Sequence, residues 1–130
     1  MREIKFRAWD KKYDDFINDG YIIFNGMIYR DERDFEDGEN TNDIELMQYT
    51  GLKDKNSVEI YEGDIIKETV LKVASRDGEG IGKYHISEVT FNPYFGFSSV
   101  GRIDRIKRGI DELEVIGNIY ENPELLETNP

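Results

Sequence analysis

His85 is the only histidine in the chain, and there is no cysteine. A triad needs a nucleophile, a base and a group orienting that base. A single imidazole at the start of a strand-like stretch, beside Tyr84, favours an ordinary edge or surface role instead. Imidazole clusters and thiolate metal sites are excluded by count. Carboxylates are plentiful, so a calcium loop is the next chemistry to consider. It needs oxygen ligands at positions 1, 3 and 5 with Gly at 6. Before Gly38 those positions hold Arg33, Phe35 and Asp37; before Gly78 they hold Val73, Ser75 and Asp77. Both fail, which leaves at most a weak, adventitious cation contact in the acidic stretch. Gly78-Glu79-Gly80-Ile81-Gly82-Lys83 invites a phosphate-loop reading. Asp77 stands where that loop needs its first Gly, and Tyr84 where it needs Ser or Thr. It reads as a hairpin loop.

Two charged segments remain. Arg102, Arg105, Lys107 and Arg108, with Asp104 among them, form the one basic cluster, and Tyr94, Phe95 and Phe97 lie just before it. Cations beside aromatic faces are what a small barrel uses to hold single-stranded nucleic acid. The plainer reading, a solvated loop paired with acidic residues, is preferred. Residues 31–43 (DERDFEDGENTND) carry seven acids and one Arg, with Phe35 the lone strong apolar anchor. A dense anionic stretch can imitate nucleic-acid phosphate towards a basic protein. Charge packed into one segment with so little apolar area is better explained as a solvated, mobile loop.

The elements that must position these residues are mostly strands. Ile4 to Trp9 alternates apolar with charged, which predicts a half-buried strand with Ile4, Phe6 and Ala8 on one face. Tyr13 to Ile17 is its returning partner. Tyr21-Ile22-Ile23-Phe24, Asn25-Gly26, Met27-Ile28-Tyr29 predicts a two-residue hairpin, because Asn-Gly accepts the positive φ angles of a type I′ turn. Ile44 to Tyr49 predicts a short strand and residues 50–57 a turn-dense link. Val58 to Tyr61, Ile65 to Ala74, Ile86 to Phe91, a strand starting at Phe95 and Glu112 to Tyr120 follow as strands. Asn122-Pro123-Glu124-Leu125-Leu126 fits an N-cap, a Pro at the first helical position and a helical turn. No segment sustains helical apolar spacing; Ile103 to Ile110 comes nearest. Strands broken by Gly-rich and Pro-bearing turns predict a small, nearly closed antiparallel barrel.

Composition bounds the rest. One hundred and thirty residues suit one domain, or a small domain with an appended half. No apolar run approaches the ~20 residues of a membrane span, and the N-terminal residues lack a signal peptide's apolar stretch. The absence of cysteine fits a cytosolic protein. A net charge of −11 opposes broad phosphate binding, yet screening beyond about 8 Å leaves a local basic patch free to act.

Three stretches resemble one family: Ile4-Lys5-Phe6-Arg7-Ala8-Trp9-Asp10, then Met47 to Asn56 running into Glu59-Ile60-Tyr61-Glu62-Gly63-Asp64-Ile65, and Glu114 to Leu126. The chain is similar to the YopX family of phage and prophage proteins over nearly its whole length. One departure is Ser57, where the family carries Gly. The resemblance implies a mostly β protein with an SH3-like barrel in its C-terminal half, working in a bacterial host cytoplasm, and it implies no catalytic residue.

The resulting expectation is a mainly β chain. Residues 1–57 form an N-terminal β-hairpin region with the acidic loop 31–43, and residues 58–130 an SH3-like antiparallel barrel with a short C-terminal helical turn and tail. Trp9, Tyr61, Gly63, Asp64, Gly117, Asn122 and Pro123 are read as fold determinants. Gly63 supplies a turn angle forbidden to residues with a Cβ, Asp64 accepts backbone N–H groups, and Gly117 marks a bulge or close approach. The expected function is a non-catalytic interaction module that binds a phage or host protein, with homo-oligomers in view and no cofactor, metal or membrane. The alternative is a single-stranded nucleic-acid binder using Arg102, Arg105, Lys107, Arg108, Tyr94 and Phe97.

Overall fold

The computed structural model describes residues 3–17, 20–25, 27–36, 43–72, 80–92, 96–97, 109 and 111–127. The chain is mostly β and divides into two units, one from Ile4 to Gln48 and the other from Tyr49 to Pro130 together with the first three residues. The division falls inside a strand, because the two halves of that strand pair with different partners.

In the first unit, β1 (Phe6–Asp10) lies antiparallel to β2 (Asp15–Ile17) on one side. On its other side it pairs with the start of β5 (Ile44–Lys53), Phe6 opposite Gln48 and Asp10 opposite Ile44. β3 (Ile22–Phe24) and β4 (Met27–Tyr29) make the Asn-Gly hairpin, and Asn25 takes the positive φ of +56° that the turn requires. Alternation in β1 does not survive as written. Phe6 and the preceding Ile4 are exposed, while Ala8, Trp9 and Asp10 are all buried. Both faces of the strand's end are covered, Trp9 by the Phe16 ring and Asp10 by Arg30. Within the acidic stretch Glu32–Glu36 is a short helix, α1, where loop is expected, and residues 37–42 lie outside the described residues. Phe35 sets its ring edge-on to Tyr29 and Phe24, at centroid distances of 5.2 and 5.6 Å, and that tertiary contact overrides local repulsion.

The second unit takes the rest of β5, then β6 (Glu59–Tyr61), β7 (Asp64–Val70), β8 (Tyr84–Glu88), β9 (Phe91–Asn92), β10 (Gly96–Phe97), β11 (Asp111–Asn118) and a terminal turn of helix, α2 (Glu124–Glu127). β7 sits between β11 and β8, β9 pairs with β10, and Tyr49 and Lys53 of β5 pair with Tyr61 and Glu59 of β6. These curled antiparallel sheets form a half-barrel, the architecture of a small β-barrel. β5 runs on through Thr50–Lys53, where a turn was expected. Gly51, at φ +86°, lets the strand shift register there without ending it. Ile60, Ile66, Val89 and Leu113 form the core, with Leu52 and Val115 packed against it. Each such fully buried branched side chain is worth about 1.5–3 kcal/mol.

Polar side chains hold the corners. Asp54 Oδ1 accepts the N–H groups of Asn56 and Val58 at 2.8 and 2.9 Å, and its Oδ2 accepts that of Val115 in β11 at 2.8 Å. Within that turn Ser57 stands at φ +66°, a left-handed conformation strained for a residue with a Cβ. In β11 the register shifts between Val115 and Gly117, a bulge. A Cβ added at Gly117 meets Asn122 Oδ1 at 2.6 Å and Asn122 Cβ at 2.9 Å. That oxygen accepts the Asn118 N–H at 3.3 Å, so the Asn122 side chain braces the strand it follows, while its carbonyl accepts the Leu125 N–H at 3.1 Å where the helical turn begins.

Two substitutions test these backbone readings by urea unfolding. Ser57→Gly relieves left-handed strain but adds entropy to the unfolded chain, so a net stabilisation of about 0.5–1 kcal/mol is expected; a loss of stability contradicts it. Gly117→Ala overpacks a site that cannot give and costs about 1–3 kcal/mol. Most of that penalty vanishes when Asn122 is already Gly, and a penalty unchanged in that background refutes the contact as its cause.

Candidate interaction surface

The β3–β4 hairpin places Phe24 opposite Met27 and Ile22 opposite Tyr29, so these four share one face, with Ile23 and Ile28 on the other. Tyr29 is buried and its hydroxyl donates to Met27 Sδ at 3.6 Å. Phe24 is 58%, Met27 47% and Phe35 37% exposed. Phe24, Met27, Tyr29 and Phe35 therefore form one aromatic–thioether patch, fixed from beneath by Tyr29 and open above. Asp31, Glu32 and Glu36, all exposed, come from α1 and the residue before it, and Phe35 N–H donates to Asp31 C=O at 3.1 Å. An apolar centre with a charged rim is the anatomy of a binding surface.

Elsewhere in this unit cations lie on aromatic faces. The Arg7 guanidinium lies 4.9 Å from the Phe16 ring centre, and that of Arg30 5.2 Å from Tyr13. Arg30 Nε also donates to Asp10 Oδ2 at 2.6 Å, and Lys12 N–H to Asp10 Oδ1 at 2.9 Å. The Arg30 hydrogen bond holds the Asp10 carboxyl below its ordinary range, against burial, which pushes it up.

In the second unit, Gly63 has φ +87° and Tyr61 N–H donates to Asp64 Oδ2 at 2.8 Å. Tyr61 stacks at a tilt on Tyr49, ring centres 5.4 Å apart. Asn118 Oδ1 accepts from the Tyr120 and Glu121 N–H groups, and Pro123 C=O accepts from Leu126. Tyr61, Gly63, Asp64, Gly117, Asn122 and Pro123 thus lie at strand ends and corners of this unit, and Trp9 lies near the end of β1 in the other. His85 is exposed on β8, opposite Glu68. Lys55 bridges to Glu112 and Glu114, each at 3.3 Å, and these two carboxylates raise its pKa. Among the described residues no group of three His, Cys, Asp or Glu could hold a metal ion, and no helix is long and apolar enough to cross a membrane. Tyr94, Arg102, Arg105, Lys107 and Arg108 lie outside the described residues; Phe97 is placed in β10, opposite Phe91. Sequence reasoning passed over Phe24, Met27 and Phe35 as a surface. A signal was present, since YIIFNGMIY is apolar on both faces of its hairpin where a half-buried hairpin needs one apolar face.

The Asp10–Arg30 pair gives stability a pH dependence. A depressed carboxyl contributes stability above its unfolded pKa of about 3.9 and loses it as pH falls through the lower folded value. Arg30→Met, which strands the buried carboxylate, is expected to cost about 3 kcal/mol at pH 7. In urea titrations the gap to the parent protein should narrow below about pH 4. A gap that stays constant down to that acidity contradicts the assignment.

No curated protein matches the chain. Among solved structures it is similar to protein EF1440 from Enterococcus faecalis, at 26% identity and a TM-score of 0.62, covering 97% of this chain and 99% of that one. It is similar in fold to protein yopX from Bacillus subtilis, at 22% identity and a TM-score of 0.55, again over 97% of this chain and 99% of the other. The YopX protein family matches residues 5–127, and with strands, corners and bulge placed as described, the chain belongs to the YopX family.

Proposed function

We propose that this protein is a non-catalytic interaction module, an accessory factor of a phage or prophage that binds a protein in the bacterial host cytoplasm. The observation that carries the reading is the patch of Phe24, Met27 and Phe35, aromatic and thioether groups held partly open to water in a strongly acidic chain. Such side chains are what protein interfaces concentrate at their centres. The use made of the polar groups supports the same reading. The carboxylates of Asp10, Asp54 and Asp64 accept backbone N–H groups at turns and corners, and that of Asp10 also an Arg, which are structural duties. A host-cytoplasmic setting is supported by the absence of cysteine and by relatives from two bacteria.

The test is crosslinked capture from bacterial lysate with the parent protein, with Phe24→Asp, and with Ile81→Asp as an exposed apolar control in the other unit. Proteins retained by the parent and by the control, and lost with Phe24→Asp while its far-ultraviolet circular dichroism is unchanged, are the expected result. Identical capture by all three overturns the reading.

A further inference from the structure

Resting on that interaction reading, we propose that the patch accepts a short basic and apolar segment of a partner polypeptide. Two independent features select this occupant. The first is size. Three partly exposed side chains offer far less than the roughly 800 Å² per partner that a stable globular interface needs, and so suit a linear segment. Edge-on rings fix Phe24, Tyr29 and Phe35 relative to one another, while Met27 adapts to whatever side chain arrives. The platform is set before binding and costs little to order.

The second feature is charge. The helix that supplies Phe35 also carries the rim, and residues 31–36 hold four acids against one Arg. Of these acids Asp31, Glu32 and Glu36 are exposed, and exposed carboxylates attract Lys and Arg and repel acidic segments over a Debye length of about 8 Å. The same rim opposes a second copy. A two-fold contact through this patch sets each acidic rim against its duplicate, on chains that each carry −11.

The probe is a labelled amphipathic peptide of Leu and Lys, with a Leu and Glu peptide of equal length as its counterpart, titrated with the full chain by fluorescence anisotropy at low and high salt. The Leu/Lys peptide should bind and weaken with salt, and the Leu/Glu peptide should bind at least tenfold more weakly. Phe24→Ser and Met27→Ser should each weaken binding about tenfold. Glu32→Lys should weaken it severalfold and flatten the salt dependence, whereas Glu124→Lys, the same charge change on α2, should leave it within twofold. Equal loss from Glu32→Lys and Glu124→Lys means diffuse attraction to an acidic chain and overturns the proposal. So does equal binding of the two peptides, or Phe24-dependent self-association in sedimentation. If capture depends on Phe24 but the Leu/Lys peptide is not preferred, the basic partner is refuted and the interaction module stands. If Phe24 matters in neither experiment, both fall.

Discussion

The dipeptide Gly63-Asp64 is the point on which the second unit turns. Gly63 N–H donates to Val89 C=O, its own carbonyl accepts the Ile119 N–H, and Asp64 C=O accepts the Val89 N–H, at 2.8 to 2.9 Å. The Asp64 carboxylate, 1% exposed, reaches back to the Tyr61 N–H and closes the corner between β6 and β7. One left-handed residue and one buried acid thereby fix the end of β6, the start of β7 and the chain just beyond β8 and β11. Burying a carboxylate is costly unless its oxygens are satisfied, so the corner holds only when all four segments are in place. Ile65 and Ile66, immediately after it, are both fully buried. Consecutive side chains of a strand point to opposite faces, so β7 enters the unit covered on both sides, and the corner decides its register.

Asp54 and Asn118 repeat this logic at smaller scale. Each spends its side-chain oxygens on backbone N–H groups of a turn, and Asp54 ties its turn across to β11. In each of these corners a polar side chain is occupied in holding backbone.

What could be read without coordinates was what local chemistry decides. Asn25-Gly26 announces its hairpin because few residues accept those φ angles. Gly63 and Gly117 announce a corner and a bulge because a Cβ is excluded there. What escaped depends on contacts distant in sequence. α1 was read as loop because seven acids in thirteen residues repel, and nothing local shows that Phe35 finds two rings to lie against. The turn-dense composition of residues 50–57 predicts an end to β5 at Tyr49, yet with its register shifted the strand continues to Lys53. Burial of Trp9 and Asp10 on opposite faces of β1 likewise needs Phe16 and Arg30. The patch is only half legible for the same reason. Sequence shows that Phe24 and Met27 are apolar, and only tertiary structure shows that they stay uncovered.

The openness of that patch follows from how small its supports are. A two-stranded hairpin is marginal in water by itself, and a helix of five residues is far too short to persist alone. Each becomes stable by leaning on the other through Phe35, so Phe35 is both the local core and part of the surface. A side chain with two such duties can be neither fully buried nor replaced by a polar one. Full burial requires more chain than the hairpin and α1 provide, and a polar replacement releases the helix together with the acidic residues it carries. The same arithmetic that makes the region marginal leaves apolar area exposed beside carboxylates. Among the described residues of this unit, the rings are therefore left partly open beside the carboxylates of the helix that holds them.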